Sequence, residues 1–237
     1  MPRGYRWLIA IALIINLTAC STIKGWFQVD DDDDPKQPAE LIDIDETIKI
    51  KKLWSHGVGD GQGDGFYKIQ PGIGGDVIYV AAANGDIEAF DKRSGKSLWD
   101  TEVELPLSGG VGVYGDGLLL GSSDGFVMKV DASNGEVLWT TRLNGEVMST
   151  PQSNGEIVLV HTLDGKLQGL DFTSGEIIWT YDSNVPVLTL RGSSSPVVNG
   201  DAAYVGFANG RVQAFDIDSG GILWEVRVAI PQGRSEI

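Results

Sequence analysis

Short apolar runs alternate along the chain with polar breaks that carry glycine, and the alternation is periodic. Residues 117–122 (GLLLGS) end at Asp124-Gly125, residues 126–131 (FVMKVD) follow, and Asp131-Ala132-Ser133-Asn134-Gly135 leads into residues 136–142 (EVLWTTR). Apolar runs of this length predict strands, and Asn-Gly or Asp-Gly between two of them predicts a tight hairpin tip with φ > 0. The pattern Asn/Asp-Gly-x5-Asp-x3-Gly-x3-Trp occurs four times, over residues 84–99, 124–139, 164–179 and 209–224. Its tryptophans step by 40, 40 and 45 residues. Self-similarity at that period predicts an all-β fold, a β-propeller in which each repeat makes one blade of four antiparallel strands. Blade one is expected over residues 67–102, blade two over 109–142, blade three over 147–181 and blade four over 194–228.

Each conserved-looking chemistry within the repeat has a structural explanation. Trp99, Trp139, Trp179 and Trp224 sit at one fixed blade position, where a large apolar side chain packs between neighbouring blades. Asp91, Asp131, Asp171 and Asp216 recur at the second turn with a glycine four residues on, so they read as turn caps. Residues 48–55 (IKIKKLWS) add a fifth Trp-bearing outer strand ahead of the first full blade. Blade four owns its Trp strand, so this extra strand has no vacancy in a ring of four. The expectation is the N-terminal part of a longer propeller; a self-sufficient four-bladed ring is the alternative.

With 33 acidic and 18 basic residues the net charge is −15, which argues against nucleic acid as a partner. A single cysteine cannot form an internal disulfide. It follows Arg3, Arg6, an apolar stretch over residues 7–17 and Leu17-Thr18-Ala19, an arrangement that resembles a bacterial lipoprotein signal with its lipobox. That resemblance implies cleavage after residue 19 and lipidation of Cys20; an ordinary secretory signal is the alternative. Ser21 next to the cysteine, by resemblance to lipoprotein sorting, implies the outer membrane, periplasmic face. Residues 20–45 form an acidic linker on this reading, since the five aspartates at 30–34 and the prolines at 35 and 38 disfavour folding. The aspartates lack the spacing and glycine bend of a calcium loop, and residues 46–237 hold the propeller.

The stretch Ala89-Phe90-Asp91 to Ser94-Gly95 and Trp99 resembles the repeat of quinoprotein dehydrogenases that bind pyrroloquinoline quinone. That family implies calcium, a catalytic aspartate and a vicinal cysteine pair, and the chain has one cysteine and two histidines, His56 and His161. His161 ends the apolar run IVLVH and reads as a packing residue. No catalytic residue, cofactor or metal site is therefore predicted. A polysaccharide-binding propeller would place aromatic residues on the hairpin tips, which here are Asn, Asp and Gly.

The repeat breaks in two places. From Trp99 to Gly125 and from Trp139 to Gly165 the spacing is 26 residues, but it is 31 from Trp54 to Gly85 and from Trp179 to Gly210. The first excess falls in the glycine-rich residues 57–65 (GVGDGQGDG), read as a flexible loop, and the second in residues 181–195 (YDSNVPVLTLRGSSS). The second should emerge on the face that carries the hairpin tips. Leu188, Leu190 and Arg191 on it have the composition of a protein-binding anchor, while the two leucines also suit the start of blade four. Lipobox, acidic tether, Trp-bearing start, Leu188-x-Leu190-Arg191-Gly192 and residues 229–237 (AIPQGRSEI) together resemble the BamB lipoproteins of the outer-membrane β-barrel assembly (BAM) machinery. The resemblance implies an eight-bladed ring, of which about four blades are present, and a nonenzymatic scaffold. It also implies docking to BamA through its POTRA region at Leu188, Leu190 and Arg191, company with other BAM subunits, and contact with unfolded outer-membrane proteins.

Overall fold

The computed structural model describes residues 47–65, 67, 69–183 and 192–229. The chain divides into residues 1–50, of which only 47–50 are described, and residues 51–237, which hold every strand among the described residues. Each predicted blade is present as a four-stranded antiparallel meander. Blade one comprises β1 (Gly72–Gly74), β2 (Val77–Ala81), β3 (Asp86–Asp91) and β4 (Ser97–Glu102). Blade two comprises β5 (Leu107–Tyr114), β6 (Gly117–Ser122), β7 (Phe126–Asp131) and β8 (Val137–Arg142). Blade three comprises β9 (Gln152–Ser153), β10 (Ile157–His161), β11 (Lys166–Asp171) and β12 (Ile177–Asp182). Blade four comprises β13 (Val197–Asn199), β14 (Ala202–Gly206), β15 (Arg211–Asp216) and β16 (Ile222–Arg227).

The middle strands β6 and β10 read as nearly continuous apolar runs because both of their faces are covered. Leu118 and Leu120 of β6 pack with Ile87 and Tyr79 of blade one, while Leu119 between them packs with Val158 and Leu170 of blade three. All three leucines are fully buried, and burial of such a side chain is worth about 1.5–3 kcal/mol. A third cluster joins Leu159 and Leu167 of blade three to Val205 and Phe215 of blade four. The hydrophobic core is thus a series of layers between successive blades.

The tryptophans lock those layers. Trp99 Nε1 donates to Ala132 O of blade two (3.0 Å), Trp139 to Phe172 O of blade three (3.1 Å) and Trp179 to Ile217 O of blade four (2.9 Å). Each indole lies over a glycine of that same turn, Gly135, Gly175 and Gly220, whose φ values of 80°, 75° and 69° a side chain would resist. The aspartates are turn caps: Asp131 Oδ1 accepts from Ser133 N (2.7 Å) and Oγ (2.5 Å), and Asp91, Asp171 and Asp216 do the same with Ser94, Ser174 and Ser219. These donors hold all four carboxyls below the usual carboxylate range.

One expectation needs correction. Residues 48–55 make no strand, for residues 47–58 pair with no ladder among the described residues. Trp54 nevertheless fills the tryptophan role toward blade one: its Nε1 donates to Lys92 O (3.0 Å) and its ring covers Gly95. The side chain docks without a sheet because a single indole supplies both the apolar contact and the hydrogen bond.

Candidate docking site

The first break in the repeat and both roots of the second come to the hairpin-tip face. Glycine-rich residues 57–65 form consecutive turns over the tip of blade one, with Gly59, Gly61 and Gly63 at φ of 41°, 62° and 58°. Ala83 N donates to Gly61 O (2.7 Å) and Asp60 N to Asn84 Oδ1 (3.4 Å), so this loop is tied to the Asn84-Gly85 tip.

The second break joins β12 to β13, and its two roots are tied to the tips of blades three and four. Ser183 N donates to Gly165 O (3.1 Å), and its hydroxyl accepts from Asn209 Nδ2 (3.3 Å). On the returning side Ser193 Oγ donates to His161 O (3.3 Å), Ser194 Oγ to Gly206 O (2.7 Å), and Ser195 Oγ accepts from Thr150 N (3.2 Å). The expected anchors Leu188, Leu190 and Arg191 lie in residues 184–191, outside the described residues, as does the expected lipidation site Cys20.

Between these roots opens a recess of about 320 Å³ lined by His161, Leu163, Gly165, Ser193, Phe207 and Ala208. His161 is buried at its floor, its ring edge-on to Phe207 at 5.1 Å, and Nδ1–H donates to Ser194 O (2.9 Å). Burial pushes its pKa below the ordinary histidine value despite the Ser194 hydrogen bond and nearby Asp164, so the ring is neutral at pH 7. His161 is thus the packing residue the sequence suggests. At the rim, burial raises the Asp164 carboxyl, but hydrogen bonds from Lys166 and Thr162 outweigh it and hold it below the usual range. The floor chemistry of His161 and Phe207 was not read from the sequence. Its one visible signal was the Ser193-Ser194-Ser195 run, whose short hydroxyls donate to the His161 and Gly206 carbonyls and accept from the Thr150 amide. The recess thus combines the Leu163 and Phe207 side chains with a neutral imidazole and the hydroxyls of Thr162, Ser193 and Ser194, and carries the ionised Asp164 only at its rim.

Residues 83–237 match the family described as outer membrane protein assembly factor BamB. The chain belongs to the BamB family. It is similar to the outer membrane protein assembly factor BamB of Pseudomonas aeruginosa, at 56% identity over 200 residues, covering 84% of this chain and 53% of that protein. The chain therefore spans about half the length of that curated relative. Among solved structures it resembles the crystal structure of BamB from Moraxella catarrhalis, at 28% identity and a TM-score of 0.66, over 69% of this chain and 50% of that one. A quinohemoprotein alcohol dehydrogenase from Comamonas testosteroni matches at 15% identity and a TM-score of 0.54, over 68% of this chain and 35% of that one, which is a likeness of fold alone. The quinoprotein flavour of the repeat thus reflects shared propeller geometry.

Proposed function

We propose that the chain acts as a nonenzymatic scaffold lipoprotein in outer-membrane protein assembly, docking to BamA through the connection between blades three and four. Family membership carries this reading, because the matching relatives are named as outer membrane protein assembly factors. The roots of the connection support the choice of site: they are pinned to two blade tips beside an apolar recess, a rigid frame for a binding loop. On this reading Leu188 and Leu190 supply apolar anchors and Arg191 a charged hydrogen bond to the POTRA region of BamA. Cys20 carries the lipid that tethers the chain to the outer membrane, facing the periplasm. Other BAM subunits and unfolded outer-membrane proteins are the remaining partners. The four recurrent aspartates, Asp91, Asp131, Asp171 and Asp216, are engaged in equivalent turns.

Leu188→Ala combined with Arg191→Ala, made in the full-length protein, is expected to weaken co-purification with the BamA POTRA domains and leave the β-type circular dichroism unchanged. Undiminished binding would sink the loop assignment. Incubation with pyrroloquinoline quinone and calcium is expected to give neither a bound chromophore nor dehydrogenase activity.

A further inference from the structure

The groove between blades two and three is filled by the chain's own cation. Lys129 of β7 is 6% exposed, and its Nζ stands 3.7 Å from the centre of the Phe172 ring and 3.7 Å from Asp116 Oδ1. Gly117 makes room for it, since a Cβ there would lie 2.5 Å from Lys129 Cε. The groove between blades one and two has the same backbone but alanine at both of these positions, Ala89 for Lys129 and Ala132 for Phe172. It is open, a cavity of about 520 Å³ lined by Val77, Tyr79, Leu98, Trp99, Asp116 and Asp131.

The lining is that of a cation site. Tyr79 and Trp99 stand with ring centroids 6.0 Å apart, and Leu98, unpaired at a β-bulge, is half exposed beside them. Asp131 turns Oδ1 into its own turn, where the Ser133 amide and hydroxyl hold it. Asp116 is 80% exposed at the mouth. Lys129, which faces Phe172 in the next groove, also stands 3.7 Å from Asp116 Oδ1 and offsets one of the two carboxylates, so Asp131 and Asp116 together leave this cavity with a net negative charge. We propose that the groove between blades one and two binds an arginine side chain of a partner polypeptide, its stem against Leu98 and Val77, its guanidinium beside Trp99 and Tyr79 and bonded to Asp131 and Asp116. Arginine fits better than lysine because a planar guanidinium stacks on aromatic rings and bonds carboxylates in a fork. Charge complementarity selects the occupant, and the Lys129–Phe172 pair shows what the same position accepts within the chain. This surface is separate from the connection between blades three and four and does not rest on the BamA reading.

The test uses the full chain and acetyl-Gly-Arg-Gly-amide as probe, with the citrulline peptide as its neutral control, followed by the 15N-1H resonance of the Trp99 indole. The arginine peptide is expected to shift that resonance saturably and the citrulline peptide to leave it in place. Ala132→Phe, which fills the cavity with the residue type found at position 172, is expected to abolish the shift. Asp116→Asn, at an exposed position, is expected to weaken binding by up to about fivefold, the worth of an exposed ion pair, and to flatten its salt dependence. A Trp99 resonance that does not respond, or responds equally to citrulline, overturns the proposal. So does an Asp116→Asn protein that binds like the wild type at low salt.

Discussion

Gly175 holds φ at 75° directly beneath Trp139, where an added Cβ would lie 2.6 Å from ring carbons. Replacing it with alanine imposes two costs. A left-handed alanine costs about 1–2 kcal/mol by itself. The methyl also pushes the indole off the turn, which sacrifices the Trp139 Nε1 bond to Phe172 O, worth about 0.5–1.5 kcal/mol, and part of an aromatic burial worth about 1.5–3 kcal/mol. The expected total is about 3–5 kcal/mol, a large share of the stability of an ordinary domain. The assay is a double-mutant cycle on the urea midpoint, read by far-UV circular dichroism, with Gly175→Ala placed in wild-type and Trp139→Ala backgrounds. Once the indole is gone the backbone strain and a close contact with Thr141 Oγ1 remain, so the cost of Gly175→Ala should drop toward about 1–2 kcal/mol. An equal cost in both backgrounds would refute the idea that this glycine exists to seat the tryptophan of the preceding blade.

Two further outcomes concern protonation. His161 has a folded pKa below its ordinary value, so the unfolded chain binds more protons beneath about pH 6.5 and stability should decline as pH falls from there toward the lowered value. His161→Gln should flatten that decline between pH 7.5 and 5.5 in urea titrations; an unchanged slope would exclude His161 as its source. The Asp131 carboxyl is held down first by the Ser133 hydroxyl and then by the Ser133 amide, so Ser133→Ala should raise its titration midpoint toward the ordinary carboxylate value in a 13C NMR experiment. No movement would mean that the hydroxyl contributes nothing to the turn.

Blade boundaries, hairpin tips and turn caps were legible because each depends on residues close in sequence. Asn84-Gly85 and Asp131 with Ser133 make their structure within a few residues, and the chain displays that chemistry directly. The position of the tryptophans between blades was legible too, but not what they hold. The Trp54, Trp99, Trp139 and Trp179 indoles each bond a backbone carbonyl 33 to 38 residues away, and carbonyls carry no sequence signal, whereas Trp224, expected in the same role, is 46% exposed. Lys129 shows a second limit. In FVMKVD it looks like the polar member of a half-exposed strand, yet β7 is covered on both faces and the ammonium is accommodated by a glycine at 117 and a phenylalanine at 172. The residues 48–55 misled for a related reason: a strand-like pattern shows what a segment can pair with, not that a neighbouring strand is there to receive it. On the hairpin-tip face the inserted length was visible in the spacing, whereas the His161 and Phe207 recess arises from two blades meeting.

Every lock between blades points one way, from the tryptophan of one repeat to the glycine turn of the following repeat. An interface of that kind is head-to-tail, with knob and hole on opposite sides of the same forty-residue unit. Copying such a unit in register copies both halves of its contact, so a duplicated gene segment arrives with its neighbours already matched. Divergence is then free to act where the lock is absent, in the connections over the tips and in the residues that fill or empty each groove. The contrast between an alanine-lined opening beside blade one and a lysine-filled one beside blade two is what that freedom produces within a single chain.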